Sequence, residues 1–113
     1  MHEYSIAYDI YMTARQAALD HRAERVICVH VDMGELAMVN PEQVKFLFEA
    51  IAEEDTLFSG TDLVCHAVAP AVRCTCGYEG TELYICPACG ALPDLVRGRE
   101  ILVTNIEIEV GES

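Results

Sequence analysis

Apolar residues recur at steps of three and four from Tyr4 to His21: Ile6, Ile10, Ala14, Ala17 and Ala18 fall on one helical face. Ser5 stands near the predicted start as a candidate cap, and Asp20-His21-Arg22 marks the exit. From Arg25 to Met33 the period drops to two. Ile27, Val29, Val31 and Met33 form one face of a strand, while Val26, Cys28, His30 and Asp32 form a second, partly polar one. Asn40-Pro41-Glu42-Gln43 then has the composition of a helix start, with Asn40 as cap, Pro41 in the first turn and Gln43 at the capping-box position. Val44, Leu47, Phe48 and Ile51 make its core face, and Glu53-Glu54-Asp55 is expected to end it in solvent.

Ser59-Gly60-Thr61 is a turn signal. A second strand is predicted over residues 62–69, stopped by Pro70, and a third over 101–110. In the third, Leu102, Thr104, Ile106, Ile108 and Val110 are expected on one face, with Asn105, Glu107 and Glu109 on the other. Residues 73–97 differ in character, being rich in cysteine, glycine and proline. The pattern predicts an α+β fold: two helices on a three-stranded sheet, with a zinc-ribbon-like domain inserted before the last strand. The expected division is 1–72 with 98–113 against 73–97.

The inserted segment carries the clearest chemistry. Cys86-Pro87-Ala88-Cys89-Gly90 spaces two thiolates to converge on one ion, and its glycine permits a turn tight enough for amides to face the sulfurs. Cys74-Thr75-Cys76-Gly77 is the partner turn. Four thiolates suit tetrahedral zinc in a structural role. The first pair is one residue tighter than C-x-x-C, which leaves open a replacement of one sulfur by Cys65 or His66. Iron in a rubredoxin-like electron carrier is the rival use of the same donors, and a zinc-ribbon interaction module is a third. Cys28 and Cys65 sit at apolar strand positions and read as small buried hydrophobes.

Composition narrows the partners. Nineteen acidic against seven basic residues in 113 give a formal charge of −12, which repels phosphate backbones and anionic membranes and suits cations or a basic protein surface. No apolar run long enough to span a bilayer and no signal peptide is legible, so the expected compartment is the cytoplasm. Six cysteines without a secretory signal indicate thiolates and metal rather than disulfides. Nothing pairs a nucleophile with a base, and no glycine-rich phosphate loop is present; no catalytic residue is assigned. His21, His30 and His66 are dispersed along the chain and read as surface or strand residues.

The first three residues hold a second metal-binding pattern. The amine of Met1 and the amide nitrogen of His2 close a five-membered chelate ring, and the same amide with the imidazole Nδ1 closes a six-membered one. The amide of Glu3 supplies a fourth nitrogen. Such a set favours planar Ni(II) or Cu(II) over zinc. Met1 is expected to be retained, because histidine in second place is bulky.

In order along the chain stand Met1-His2-Glu3 leading into a helix, Gly34-Glu35-Leu36 between strand and helix, and Asn40-Pro41-Glu42 ahead of Phe46 and Phe48. The paired cysteine turns and Ile106-Glu107-Ile108-Glu109 complete the set. Together they resemble the HypA/HybF family of hydrogenase nickel-insertion proteins over essentially the whole chain. The resemblance implies a nickel-binding α/β domain with a zinc domain inserted before its last strand. It implies transport of Ni(II) to the large-subunit precursor of [NiFe]-hydrogenase, with a maturation GTPase as partner. By position, the nickel ligand is His2, helped by the amine of Met1 and by backbone of His2 and Glu3. The zinc ligands are Cys74, Cys76, Cys86 and Cys89, although the family usually has two residues within the first cysteine pair.

Overall fold

The computed structural model describes residues 2–111, the side chain of His2 excepted. The elements run α1 (His2–Asp20), β1 (Ala23–Gly34), α2 (Pro41–Ala52), β2 (Asp62–Val68), β3 (Ala71–Arg73), β4 (Glu79–Gly80), β5 (Asp94–Arg97) and β6 (Ile101–Val110). Short 3-10 turns follow β1 at Glu35–Ala37 and α2 at Thr56–Phe58. Among the described residues two sheets form, with strand orders β2-β1-β6 and β4-β3-β5. The fold is α+β, as the periodicities predict. No helix among the described residues is long and apolar enough to cross a membrane.

The chain divides into two compact units. The first comprises the described residues of Met1–Asp32, Val39–His66 and Leu102–Ser113; the second comprises Met33–Met38 and Ala67–Ile101. In the first unit α1 packs on α2. The α1 contribution is Ala7, Ile10, Ala14 and Ala18, all buried, so the face is built largely of alanine and permits close approach. Helix α2 contributes Val44, Phe48 and Ala52. Phe58 closes this core, its ring 5.0 Å from Tyr11 and 5.9 Å, edge-on, from Phe48.

Helix α1 starts two residues earlier than its apolar period, which places Ser5 inside the helix rather than at its cap. Asn40 does cap α2, its side chain accepting from the backbone N–H of Glu42 at 3.0 Å and of Gln43 at 3.4 Å. The acidic run after α2 is not wholly in solvent. Asp55 is half-buried, accepts the Tyr11 hydroxyl at 2.6 Å, pairs with Arg15 at 3.4 Å and caps the following turn through Leu57. One carboxylate thereby fastens the end of α2 to the middle of α1.

Strand β6 also departs from simple alternation. Burial falls on Ile101 and Val103, then on Ile106 and Ile108, so the pattern slips by one residue at Thr104–Asn105. Leu102 and Val110 are more than half exposed, not members of a common apolar face with Ile106. Ile27 in β1 is similarly exposed at 36%, while Val26 on the other parity is fully buried.

In the second unit, Gly34 donates to the Glu100 carbonyl at 2.8 Å and Leu36 to that of Gly98 at 2.7 Å. A Cβ on Gly34 would lie 2.2 Å from the Gly98 carbonyl oxygen, and Gly98 itself has φ +113°. Only glycines let these backbones meet. Strand β3 pairs antiparallel with β4 and β5, through Val72↔Gly80 and Val72↔Leu95. Strands of two to four residues are too short to show a period, which is why the pattern does not predict this sheet.

Replacing Asn40 by alanine should lower stability by about 1 kcal/mol, the usual cost of losing an N-cap. Asn40→Ser should recover most of it; urea unfolding of the three proteins, with unchanged slopes, is the check.

Candidate metal centre

Each cysteine turn is made by its glycine. Cys74 donates its N–H to the Tyr78 carbonyl at 2.8 Å, and Gly77 donates to the Cys74 carbonyl at 2.9 Å. In the second turn Cys86 donates to Ala91 at 2.7 Å, and Gly90 donates to Cys86 at 2.8 Å. Gly77 and Gly90 have φ +102° and +78°, a region that costs other residues energy. The short C-x-C turn therefore still delivers both of its sulfurs.

All four sulfurs lie within 4.8 Å of one another. Two pairs, Cys74 with Cys89 and Cys76 with Cys86, are each at 3.5 Å and join one turn to the other. Sulfurs around tetrahedral zinc at about 2.3 Å stand about 3.8 Å apart, so the donor set fits such an ion. All four cysteines are free, far beyond disulfide bonding distance. Each turn gives one buried sulfur, Cys74 or Cys86, and one exposed, Cys76 or Cys89.

The thiols share their protons unequally. Burial pushes Cys86 up, but hydrogen bonds from the backbone of Cys89 and Ala88 and from neighbouring thiols outweigh it and bring its pKa to about 7. For Cys89 a backbone hydrogen bond from Ala91 pulls downward, yet the three other cysteines together push it up to about 12. Amides aimed at sulfur in this way stabilise thiolate and orient it.

The cluster has neither Cys65 nor His66 in it. His66 instead pairs with His30, so these histidines are dispersed in sequence but not in space: their rings stack 5.4 Å apart at 11°. His21 stays a surface residue, with Nδ1 2.9 Å from the Ala17 carbonyl at the end of α1. Cys28 is buried as expected, whereas Cys65 is only half-buried. At the N-terminus, Met1 and the imidazole of His2 lie outside the described residues; the backbone of His2 and Glu3 forms the first turn of α1. Sequence spacing did not bring Cys28, His30 and Glu107 together, yet their ligand atoms also lie within 4.8 Å of one another. Cys28 and His30 have the i, i+2 spacing of one strand face, but the approach of Glu107 depends on strand register.

Comparison with known proteins supplies the family. The family described as "Hydrogenase/urease nickel incorporation, metallochaperone, hypA" matches residues 1–108. The hydrogenase maturation factor HypA of Methanocella arvoryzae is 40% identical, over 97% of this chain and 100% of its own. That of Chloroflexus aurantiacus is 36% identical, over 95% and 98%. In fold, the solution structure of the nickel metallochaperone HypA from Helicobacter pylori superposes with a TM-score of 0.76 at 18% identity, covering 96% of this chain and 98% of that one. With a family match over nearly its whole length and relatives at these identities, the chain belongs to the HypA family.

Proposed function

We propose that this chain is a nickel carrier rather than an enzyme. In this proposal it takes Ni(II) as cargo at Met1-His2-Glu3 and passes it to the large-subunit precursor of a [NiFe]-hydrogenase in the cytoplasm, with a maturation GTPase as partner. Family membership supports the activity, and the observation that carries the site is the start of α1 at His2. The first N–H groups of a helix have no intrahelical acceptor, so the amides of His2 and Glu3 are not committed to the helix ladder. The positive end of the helix also favours an amide that has lost its proton. With the Met1 amine and the His2 imidazole they make a four-nitrogen set suited to planar Ni(II). Glu3 adds negative charge beside the cation, and the net charge of −12 fits both a cationic cargo and a basic partner.

For Cys74, Cys76, Cys86 and Cys89 we propose zinc, held as a structural ion. It supplies a crosslink between the two turns, and the protein's own residues supply the rest: short turns, aimed amides and a closed donor set. Apart from Cys74 and Cys86, only Val72 and Pro93 are buried between residues 71 and 97. That is too little apolar surface to fold a unit of this size without the ion. Nickel thus belongs to the first unit and zinc to the second.

The nickel site is tested by titrating Ni(II) into untagged, zinc-loaded protein and following the absorption of planar Ni(II). His2→Ala should abolish tight binding and leave zinc content and circular dichroism unchanged. Residues added before Met1 should do the same, since they remove the free amine. Affinity should fall between about pH 7.5 and about pH 5.5, because imidazole, amine and amides must all give up protons. Equal binding in parent and His2→Ala would take His2 out of the mechanism and leave a zinc-ribbon interaction module.

For zinc, elemental analysis should give one ion per chain and a colourless protein; red iron–thiolate absorption would mean the electron-carrier use of the cluster. Cys86→Ser should release the ion and expose the amides of the second unit to hydrogen exchange, with α1 and α2 still protected. Zinc affinity should fall with falling pH, and more steeply below about 7, where Cys86 also takes up a proton that the metal must displace.

A further inference from the structure

The three-stranded sheet of the first unit places one chemistry-bearing residue of each strand side by side. His30 of β1 has its Nδ1 3.1 Å from Nε2 of His66 in β2. Its Nε2 lies 2.6 Å from Oε2 of Glu107 in β6 and 3.5 Å from Sγ of Cys28, two residues back on β1. The thiol sulfur, imidazole nitrogen and carboxylate oxygen all fall within 4.8 Å of one another. These donors come from strands that are direct neighbours in the order β2-β1-β6, so the sheet's own hydrogen bonding holds them in place.

We propose that Cys28 Sγ, His30 Nε2 and a carboxylate oxygen of Glu107 form a third site for a divalent first-row transition ion, open at its remaining position, with His66 as a positioning residue. The proposal is independent of the N-terminal nickel reading. One thiolate, one imidazole and one carboxylate suit borderline ions such as Zn(II), Co(II) or Ni(II); calcium and magnesium prefer oxygen alone. Three protein donors leave a coordination position to water or to an exchanging ligand, as in zinc sites that are not purely structural.

The second nitrogen of His30 completes the design. A ligating histidine is ordinarily fixed by a partner on its other nitrogen, and His66 stands there. When Nε2 binds the ion, the ring proton sits on Nδ1 and is donated to Nε2 of His66, which carries its own proton on Nδ1. As the ion binds, the Cys28 thiol gives up its proton to solvent. Burial and the neighbouring Glu107 charge hold that thiol above its ordinary pKa, and a cation reverses the second effect. Cys28 is buried, His30 half-buried and Glu107 exposed, so the ion has a path in along the carboxylate.

The test uses the full chain with its four-cysteine cluster already loaded with zinc, titrated anaerobically with Co(II) while zinc release is monitored. A thiolate-to-cobalt charge-transfer band at one further equivalent, with zinc retained, is the expected result. The band should vanish in Cys28→Ser, survive in Cys65→Ser and persist in His2→Ala, since the N-terminal donors include no sulfur. Glu107→Gln, at an exposed carboxylate, should weaken Co(II) binding about tenfold or more, and His66→Phe about 10–100-fold. The proposal is overturned if no thiolate band appears beyond the zinc cluster, or if the band survives Cys28→Ser with zinc released, which would place cobalt among the four cysteines. Unchanged affinity in Glu107→Gln would also overturn it, and this variant decides the matter should Cys28→Ser fail to fold.

Discussion

Four sulfurs within 4.8 Å of one another cannot all carry negative charge unless a cation sits among them. Without one, protons must be retained, and the wide split between Cys86 and Cys89 expresses this: Cys86 ionises easily while Cys89, pushed up by the other three cysteines, holds its proton. The whole second unit is arranged around that constraint. Its strands are two to four residues long, its turns are closed by glycines at positive φ, and of the four residues buried between 71 and 97 two are cysteines. Tyr84, Ile85 and Leu92 stay exposed, outside the small buried set of this unit. With the proposed zinc bound, coordination replaces apolar burial as the term that offsets chain entropy.

The first unit follows the opposite economy. Alanines at positions 7, 14 and 18 let α1 approach α2 closely, and Val44, Phe48 and Phe58 fill the space between. Polar groups are then added at joints where they have partners: Asp55 to Tyr11 and Arg15, Arg25 to the Ser59 carbonyl at 2.9 Å, Thr61 to the Val26 carbonyl. No buried side-chain polar atom among the described residues lacks a partner. A unit built in this way draws its stability from apolar contacts and paired polar groups.

How much of this was legible depended on how local the cause was. The Asn40 cap and the cysteine turns are local, since each is decided by a few adjacent residues, and both were readable. The α+β order followed from periods that persist over eight or more residues. Three features were hidden because they rest on neighbours far along the chain. Asp55 leaves solvent because Tyr11 and Arg15 receive it, 40 or more residues away. The slip at Thr104–Asn105 is invisible to an alternation count, and it moves Leu102 off the expected face. His30 and His66 looked unrelated because only the pairing of β1 with β2 brings them together. The start of α1 was missed for a different reason: His2 and Glu3 are polar, so an apolar period cannot see them.

The proposed metal sites differ in what their loss would do to the chain, and this follows from topology. The four cysteines close a loop from residue 74 to residue 89, so removing their ion also removes a crosslink, and release is tied to unfolding of the second unit. The proposed nickel donors belong to three consecutive residues. They crosslink nothing, and the ion can leave without breaking any contact of α1 with α2. Cys28, His30 and Glu107 stand between these limits, spread over two strands whose pairing exists without the ion. A protein that must hold one metal permanently and surrender another is best served by such a division: structural thiolates where the fold depends on them, and nitrogen donors where it does not. For transfer, the nickel equilibrium then depends on the competing ligands of the acceptor and on protons, and not on the stability of the carrier.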